Sequence, residues 1–455
     1  MIYDIAIIGG GPAGYVAAIK AAQEGAKTIL FEMNELGGTC LNRGCIPTKT
    51  YLKTAEWIHS VKYAKTRGIV LESSAFKMDM DKVVKEKNKV VKTLTGGVGA
   101  LLKSNGVEVV NKKATITPQR KIKADGVLYD AKNIIIATGS KAFMPPIKGA
   151  DIENVITSDE ILNIDYVPKN LVVIGGGVIG LEMSMVFSAF GSNVKIIELM
   201  DRVLPTMDKD ISVEMEKYLK TEKIEVLTGV KVEEFAKKGK KVSIKASNGE
   251  NYEADLVLVS IGRAPVSEDV CQLPLEKVRG FIKANEYLES SEPGIYVAGD
   301  VNGKLMLAHA GSKMGEIAVK NALGKRKRLL LNNIPSNVYT MLEIGSVGMT
   351  SDEAEKRGNI SLGLFPFGAN GRALASGEAK GFVKMIIDES TKEILGVHIV
   401  GPNAAEMINE AAALMEAEIT AEELADTTHA HPTIGESLME AAGASLGRCI
   451  HMPKR

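Results

Sequence analysis

Tyr3–Ile8 reads YDIAII, an apolar run of strand length that fits a strand buried on both faces. A glycine turn follows, then a helical stretch over Gly14–Glu24, then a second apolar run, Lys27–Phe31, that ends at Glu32. Asn170–Ile174 (NLVVI), the turn Gly175–Gly180, a helical stretch to Phe190 and the run Asn193–Ile197 ending at Glu198 repeat this layout. Two strand–helix–strand units of this kind predict two Rossmann-like dinucleotide-binding domains in an α/β chain. Lys121–Ile136 and Val230–Ser260 alternate in short runs, which predicts small antiparallel meanders that end by rejoining a sheet at IIIATG and LVLVSIG. Asp79–Ser104 carries Val83, Val84, Val90, Val91, Leu94 and Leu101 at helical spacing among many lysines. That pattern predicts a long, solvated surface helix, interrupted near Gly96-Gly97. From about Ser336 alternating strands (Tyr339–Val347, Gly381–Ile387, Ile394–Val400) precede helical segments, the mark of a separate α+β C-terminal domain.

At 455 residues the chain exceeds the roughly 250–300 at which a single core stops growing, so several domains are expected. Hydrophobic residues at 45% and charged residues at 25% argue against long disorder. Lys plus Arg equals Asp plus Glu at 56 each, which makes nucleic acid or an anionic membrane a poor partner, and Lys325–Arg328 reads as a solvated loop. Met1–Ile8 lacks a basic leader and no stretch reaches the eighteen or so apolar residues of a spanning helix, so a cytoplasmic protein is expected. Four cysteines are too few for a disulfide framework; in a reducing compartment a close pair points to catalysis or metal binding.

Gly9-x-Gly11-x-x-Gly14 follows a strand and opens a helix. The first glycine permits the turn, the second lets backbone approach a pyrophosphate, and the third lets the helix sit close on the strand. Glu32 is placed to accept hydrogen bonds from a ribose diol. Gly175-x-Gly177-x-x-Gly180 with Glu198 has the same layout, and a carboxylate there repels a 2′-phosphate, favouring NAD over NADP. Either turn alone could be purely structural; two of them, each with its acid, point to electrons passing between two nucleotide cofactors.

Cys40 and Cys45 lie in GGTCLNRGCIPTK, just beyond the first acid. Five residues of regular helix advance about 7.5 Å, too far for a disulfide, so a bridge needs a bend that Gly44 can supply. Pro47 suits the first turn of a following helix, whose N-terminus favours a nearby thiolate. A zinc half-site or two buried thiols are the competing readings; Cys271 and Cys449 stand alone and read as small buried hydrophobes. Near the other end, His431 precedes Glu436 by five residues with Pro432 between them. A carboxylate on one ring nitrogen raises the basicity of the other, giving a base able to deprotonate a thiol near neutral pH.

With two nucleotide turns, the Cys-x4-Cys segment between them and HAHPT-x-x-E near the end, the chain resembles the dihydrolipoamide dehydrogenase family of glutathione reductase-like flavoenzymes from Ile5 to Ala442. Ala137-Thr138-Gly139 and Tyr296-Val297-Ala298-Gly299-Asp300 match the family as well. The resemblance implies FAD and NAD as cofactors and an obligate homodimer. It assigns residues 1–148 to an FAD-binding domain, 149–270 to an NAD-binding domain, 271–335 to a central segment completing the FAD side, and 336–455 to a dimerisation domain. It places Thr138, Gly139, Gly262 and Asp300 at the cofactors, Asp300 as the flavin ribityl contact, and Lys49 with Glu182 as an ion pair beside the flavin. Cys40 and Cys45 become the redox-active disulfide, with Cys45 nearer the flavin, and His431 backed by Glu436 becomes a base donated by the other subunit.

Two departures stand out: Val266 where asparagine is usual, and Ala310-Gly311-Ser312-Lys313-Met314-Gly315 where the family commonly has an acidic stretch. No lipoyl turn (Asp-Lys-Ala) is present, so the carrier is expected to be another protein, the acyltransferase core or lipoyl-bearing component of a multienzyme complex. The competing functions are reduction of another small disulfide and a docked scaffold subunit. Directly after the second nucleotide strand, Glu198-Leu199-Met200-Asp201 precedes a single arginine, Arg202, and the Cys40, Cys45, His431, Glu436 set is intact, which speaks against both.

Overall fold

The computed structural model describes residues 2–70 and 76–453. Its first sheet runs Glu108–Val110, Thr28–Phe31, Ile2–Ile8, Val127–Ile136, with the late strand Ile295–Val297 on the far side of Val127–Ile136, and every one of these pairings is parallel. Ile8 pairs with both Phe31 and Ile136, so three strands end level at Gly9, Glu32 and Ala137. Such a row of carboxyl ends is where open α/β sheets bind ligands. The early part of Val127–Ile136 turns back antiparallel on Ile122–Ala124 and Ala114–Ile116.

A second, all-parallel sheet orders Glu225–Leu227, Asn193–Ile197, Asn170–Ile174, Leu256–Val259 and Val155–Ile156, and carries the antiparallel ribbon Val232–Lys238, Lys241–Ala246, Asn251–Ala254. A short antiparallel pair, Ser140–Ala142 with Arg263–Pro265, ties the exit of the first sheet to the exit of the second. The third sheet is wholly antiparallel: Ser336–Val338, Ile344–Gly348, Ile394–Val400, Phe382–Asp388, Ile360–Pro366. Helices Ala404–Glu416 and Glu436–Ser445 cover one of its faces through Met407, Ile408, Leu438 and Ala441 against Met385, Ile387 and Val397. The α/β architecture with an α+β C-terminal part is the one the hydrophobic pattern predicts.

Three local expectations need correction. Met80–Ser104 is one uninterrupted helix through Gly96 and Gly97. Each glycine costs about 1 kcal/mol against alanine, but both ends of the helix are anchored, Met80 in one hydrophobic cluster and Val98 and Leu102 in another. Lys87, midway, is buried and donates to Leu162 O at 3.0 Å and Asn163 Oδ1 at 2.7 Å, so the helix, exposed along most of its length as expected, also straps two cores together. Of Tyr339–Val347 only Ile344–Val347 is strand; residues 339–343 are the connection after the preceding strand Ser336–Val338, where the Tyr339 N–H is given to the Glu182 carboxylate at 2.9 Å instead of to a neighbouring strand. Ile360–Pro366, in which only Gly363 and Phe365 are buried, escaped the pattern altogether.

The outer face of the third sheet meets the second domain through a buried ionic cluster. Lys384 Nζ lies 2.8 Å from Asp208 Oδ1 and 2.6 Å from Asp210 Oδ2, while Asp208 Oδ2 accepts from the Ser351 N–H at 2.9 Å and hydroxyl at 2.8 Å. Burial pushes the Asp208 carboxyl upward, but Lys384, Ser351 and His398 outweigh it and hold it well below the usual carboxylate range. A depressed carboxylate stabilises the fold above its unfolded value and loses that contribution only as the pH falls through the folded one. Lys384→Met should therefore cost about 3–5 kcal/mol at neutral pH, read as a lower urea midpoint, because it strands a buried anion. The double change with Asp208→Asn should recover much of the loss, and a single variant as stable as wild type would show that the pair is not desolvated.

Candidate redox-active site

The two glycine turns divide their labour as stereochemistry requires. Gly9 and Gly175 have φ of 106° and 107°, and a Cβ on Gly14 or Gly180 would lie 1.8 or 2.0 Å from the carbonyl of the first glycine. These positions exclude any side chain. Gly11 and Gly177 instead open outward: a Cβ at Gly11 meets nothing nearer than 3.8 Å, and at Gly177 nothing within 4 Å. Each caps a helix, Pro12–Gln23 and Val178–Phe190, without a side-chain hydrogen bond, so the first N–H groups point into that open space. A pyrophosphate fits both cradles, as FAD and NAD demand.

Glu32 and Glu198 are more constrained than their spacing suggested. Glu32 accepts from the Gly10 N–H at 2.6 Å and the Asn34 N–H at 2.7 Å; Glu198 accepts from the Gly176 N–H at 2.5 Å and the Met200 N–H at 2.7 Å. Each carboxylate thus locks its own glycine turn, with lone pairs left for a ribose.

At the seam between the domains, Ser140 donates to Asp300 Oδ2 at 2.5 Å, Arg263 Nε donates to Ser140 Oγ at 2.7 Å, and Arg263 Nη2 reaches Thr39 Oγ1 at 3.3 Å. Arg263 and Ser140 were not singled out from the sequence; the only signal was the Ser260–Pro265 loop in which Arg263 lies. Thr138 Oγ1 donates to Val266 O at 2.5 Å, and the Val266 N–H donates to Gly139 O at 2.9 Å. Position 266 thus serves the seam through its backbone, whatever its side chain. Gly262 takes a Phe143 N–H on its carbonyl at 3.1 Å, at the other end of the ribbon. The second departure also has a packing reason. A Cβ on Gly315 would stand 2.3 Å from Ala13 O, so small residues let the helix Ala308–Ala322 close on the first nucleotide helix, while Lys313 points outward.

Cys40 lies on the short helix Gly38–Arg43 and Cys45 opens the helix Cys45–Ala64. Gly44 makes the bend between them, with φ −141° and ψ −115°, and a Cβ there would sit 2.9 Å from Thr39 O. Pro47 is the third residue of the second helix, within its first turn as expected. Neither Cys40 nor Cys45 is fully buried. The thiolate favoured is Cys45. The hydrogen bond with Cys40, aided by Lys49, overcomes desolvation and Glu182 and brings its pKa down to about 7. Cys40 is pushed strongly upward, first by the same hydrogen bond and then by burial.

Lys49, one turn further on, places Nζ 2.9 Å from both oxygens of Glu182, which is 3% exposed on the second nucleotide helix. Burial raises the Glu182 pKa, opposed by Lys49 and by the Tyr339 N–H. Lys49 Nζ also lies 4.3 Å from the centre of the Tyr339 ring. Tyr339 is a contact that nothing in the sequence flagged.

His431 stands apart. Its Nδ1 is 2.8 Å from Glu436 Oε1, the other oxygen of which accepts from the Thr433 N–H at 2.8 Å, and Asn370 holds the turn by donating to Thr433 O at 3.0 Å. The His431 side chain is 77% exposed. Among the described residues nothing in the same chain joins His431 to the cysteines: its hydrogen bonds end at Glu436, and the charged groups acting on Cys45 are Lys49 and Glu182.

Known proteins match the chain over nearly its whole length. Residues 3–315 match the pyridine nucleotide-disulphide oxidoreductase family and residues 334–442 match the dimerisation domain of that family. The chain is 42% identical to a dihydrolipoyl dehydrogenase of Thermus scotoductus, over 100% of this chain and 99% of the relative. It is 40% identical to one of Bacillus subtilis, over 99% of each. The crystal structure of LpdA from Mycobacterium tuberculosis superposes with a TM-score of 0.89 at 26% identity, covering 96% of this chain and 99% of that one. The glycine cradles, the Cys40–Cys45 pair and the full-length similarity together make this chain a member of the dihydrolipoyl dehydrogenase family of pyridine nucleotide-disulphide oxidoreductases.

Proposed function

We propose that the chain oxidises dihydrolipoamide, presented by a separate lipoyl-bearing protein of a multienzyme complex, and passes the electrons to NAD⁺ as a homodimer in the cytoplasm. The observation that carries this reading is the asymmetry of the thiol pair: Cys45 at a helix N-terminus with its pKa near 7, Cys40 held protonated beside it. FAD, when bound, accepts two electrons from the dithiol, and NAD⁺ takes the hydride. The rest is the work of this chain. His431, with Nδ1 fixed on Glu436, removes a proton from a lipoyl thiol at Nε2. The resulting thiolate attacks Cys40 Sγ of the oxidised pair; the Cys40–Cys45 bond breaks and Cys45 leaves as the thiolate. The second lipoyl thiol attacks the first lipoyl sulfur, closing the lipoamide disulfide and releasing Cys40 with the proton returned through His431. Lys49 balances charge beside Cys45, and Glu182 holds Lys49 there.

The flavoprotein reduced with dihydrolipoamide should show a long-wavelength charge-transfer band that grows as the pH is raised through about 7, because Cys45 supplies the thiolate. Cys45→Ser should abolish the band and Cys40→Ser should retain it without turnover. Equal bands in both variants would contradict the assignment.

On nucleotide choice, Glu198 at the end of the second strand should repel a 2′-phosphate. Steady-state efficiencies should favour NAD⁺ over NADP⁺ by more than about tenfold, the 1.4 kcal/mol of one unfavourable contact. Comparable efficiencies would remove Glu198 from recognition.

His431→Gln should lower lipoamide turnover about 10²–10⁴-fold while electron transfer from NADH to an artificial acceptor survives. Since nothing among the described residues of one chain joins His431 to the thiols, co-expressed His431→Gln and Cys45→Ser subunits should regain partial activity as heterodimers. Heterodimers no more active than either parent would place the base elsewhere.

A further inference from the structure

Tyr339 belongs to the dimerisation domain, residues 334–442, yet its backbone and its ring are both committed to the ion pair beside the thiols. Its N–H donates to Glu182 Oε1 at 2.9 Å, its ring centre stands 4.3 Å from Lys49 Nζ, and its hydroxyl accepts from Asn337 Nδ2 at 3.3 Å. The strand Ser336–Val338 ends just before it. Val338 and Ile344, on either side of the connection, sit in the same hydrophobic cluster as Tyr51 and Leu52, just beyond Lys49 on its helix, and Leu181, the neighbour of Glu182. Tyr339 itself packs, partly buried, against that cluster. The ring is therefore fixed relative to both members of the ion pair.

The cation needs such a wall. Glu182 takes the ammonium on one side with both oxygens at 2.9 Å, but the Lys49 side chain is 31% exposed at the end of a flexible four-carbon stem. An aromatic face within about 6 Å of an ammonium attracts it through the ring quadrupole, more strongly where water is displaced. Cys45 and Lys49 lie one turn apart on the helix Cys45–Ala64, so their side chains share a face. The groups acting on the Cys45 thiol are Cys40 from the short helix before it, Lys49 from its own helix and Glu182 from the second nucleotide helix. Lys49 favours the thiolate and Glu182 opposes it. Where one ammonium sits thus decides how much of the Glu182 charge is felt at the thiol.

We propose that Tyr339 is a positioning residue for the thiol pair: its ring face holds the Lys49 ammonium between Glu182 and Cys45, so the dimerisation domain of the same chain sets how readily Cys45 keeps its thiolate. This rests on the reading of Cys45 as the thiolate beside the flavin. Without the ring, Lys49 swings toward water, its field at Cys45 weakens and that of Glu182 is less well cancelled. The thiolate is then disfavoured, and the Cys45 midpoint rises.

The test is a pH titration by NMR of the FAD-loaded dimer labelled with ¹³Cβ-cysteine and reduced with dithiothreitol, the Cys45 signal being assigned by its loss in Cys45→Ser. Tyr339→Leu keeps the backbone donor and the apolar bulk but removes the ring, and should raise the Cys45 midpoint by about half a pH unit. Tyr339→Phe keeps the ring face and should leave the midpoint in place. Replacing Tyr339 with 3,4,5-trifluorophenylalanine keeps the shape while stripping the negative charge from the ring face, so it should shift the midpoint as Tyr339→Leu does even where the leucine variant folds poorly. In a Lys49→Met background Tyr339→Leu should add no further rise. An unmoved midpoint in either ring-weakened protein, a Tyr339→Phe midpoint displaced as far as that of Tyr339→Leu, or a further rise without Lys49 overturns the proposal. The charge-transfer band followed against pH in the same proteins separates the two readings. A Cβ midpoint that moves while the band stays in place removes Cys45 as the thiolate beside the flavin and leaves the Tyr339–Lys49 coupling intact.

Discussion

Glu182 is a carboxylate 3% exposed in the middle of a nucleotide-binding helix, and the rest of the molecule is arranged to make it tolerable. Its two oxygens take Lys49 from the first domain and the Tyr339 N–H from the third. An uncompensated charge at that depth costs several kcal/mol, so three separately built parts of the chain are tied to one point. The apolar surroundings agree: a single hydrophobic cluster runs from Tyr51 and Leu52 through Leu181 and Phe187 to Val338, Ile344 and Phe382. The same Lys49 that pairs with Glu182 also lowers the pKa of Cys45, so one cation serves the packing constraint and the thiol pair.

The two dinucleotide cradles express a different kind of constraint. In each, the first and third glycines are fixed by close approach of backbone to backbone, and the second by openness toward a ligand. The acid at the next strand end then braces the turn through a backbone N–H. A site built this way is rigid before its cofactor arrives, which reduces the ordering that binding would otherwise require. The Arg263–Ser140–Asp300 chain carries the same logic across the seam, linking the redox loop at Thr39 to the end of the late strand Ile295–Val297.

The C-terminal part presents its chemistry outward. His431 and its carboxylate form a finished pair that touches neither cysteine in its own chain, and the surrounding turn is braced by Asn370 and Thr433 as firmly as a buried site would be.

The sequence by itself determined the two strand–helix–strand units, the cradles with their acids, the thiol pair with its glycine bend, and the His431–Glu436 partnership. Each is local, written in spacings of a few residues that backbone stereochemistry and hydrogen-bond reach convert directly into geometry. What only the tertiary structure decided are the relations between distant segments. Among them are Tyr339 giving its N–H to Glu182, Arg263 bridging Ser140 and Thr39, Lys384 buried on Asp208, and a helix that runs through Gly96 and Gly97 because both of its ends are clamped. Those contacts join residues far apart in the chain, and no periodicity or propensity encodes them. They exist because burying the apolar faces of three sheets together brings those groups within reach and then requires every buried polar atom to find a partner.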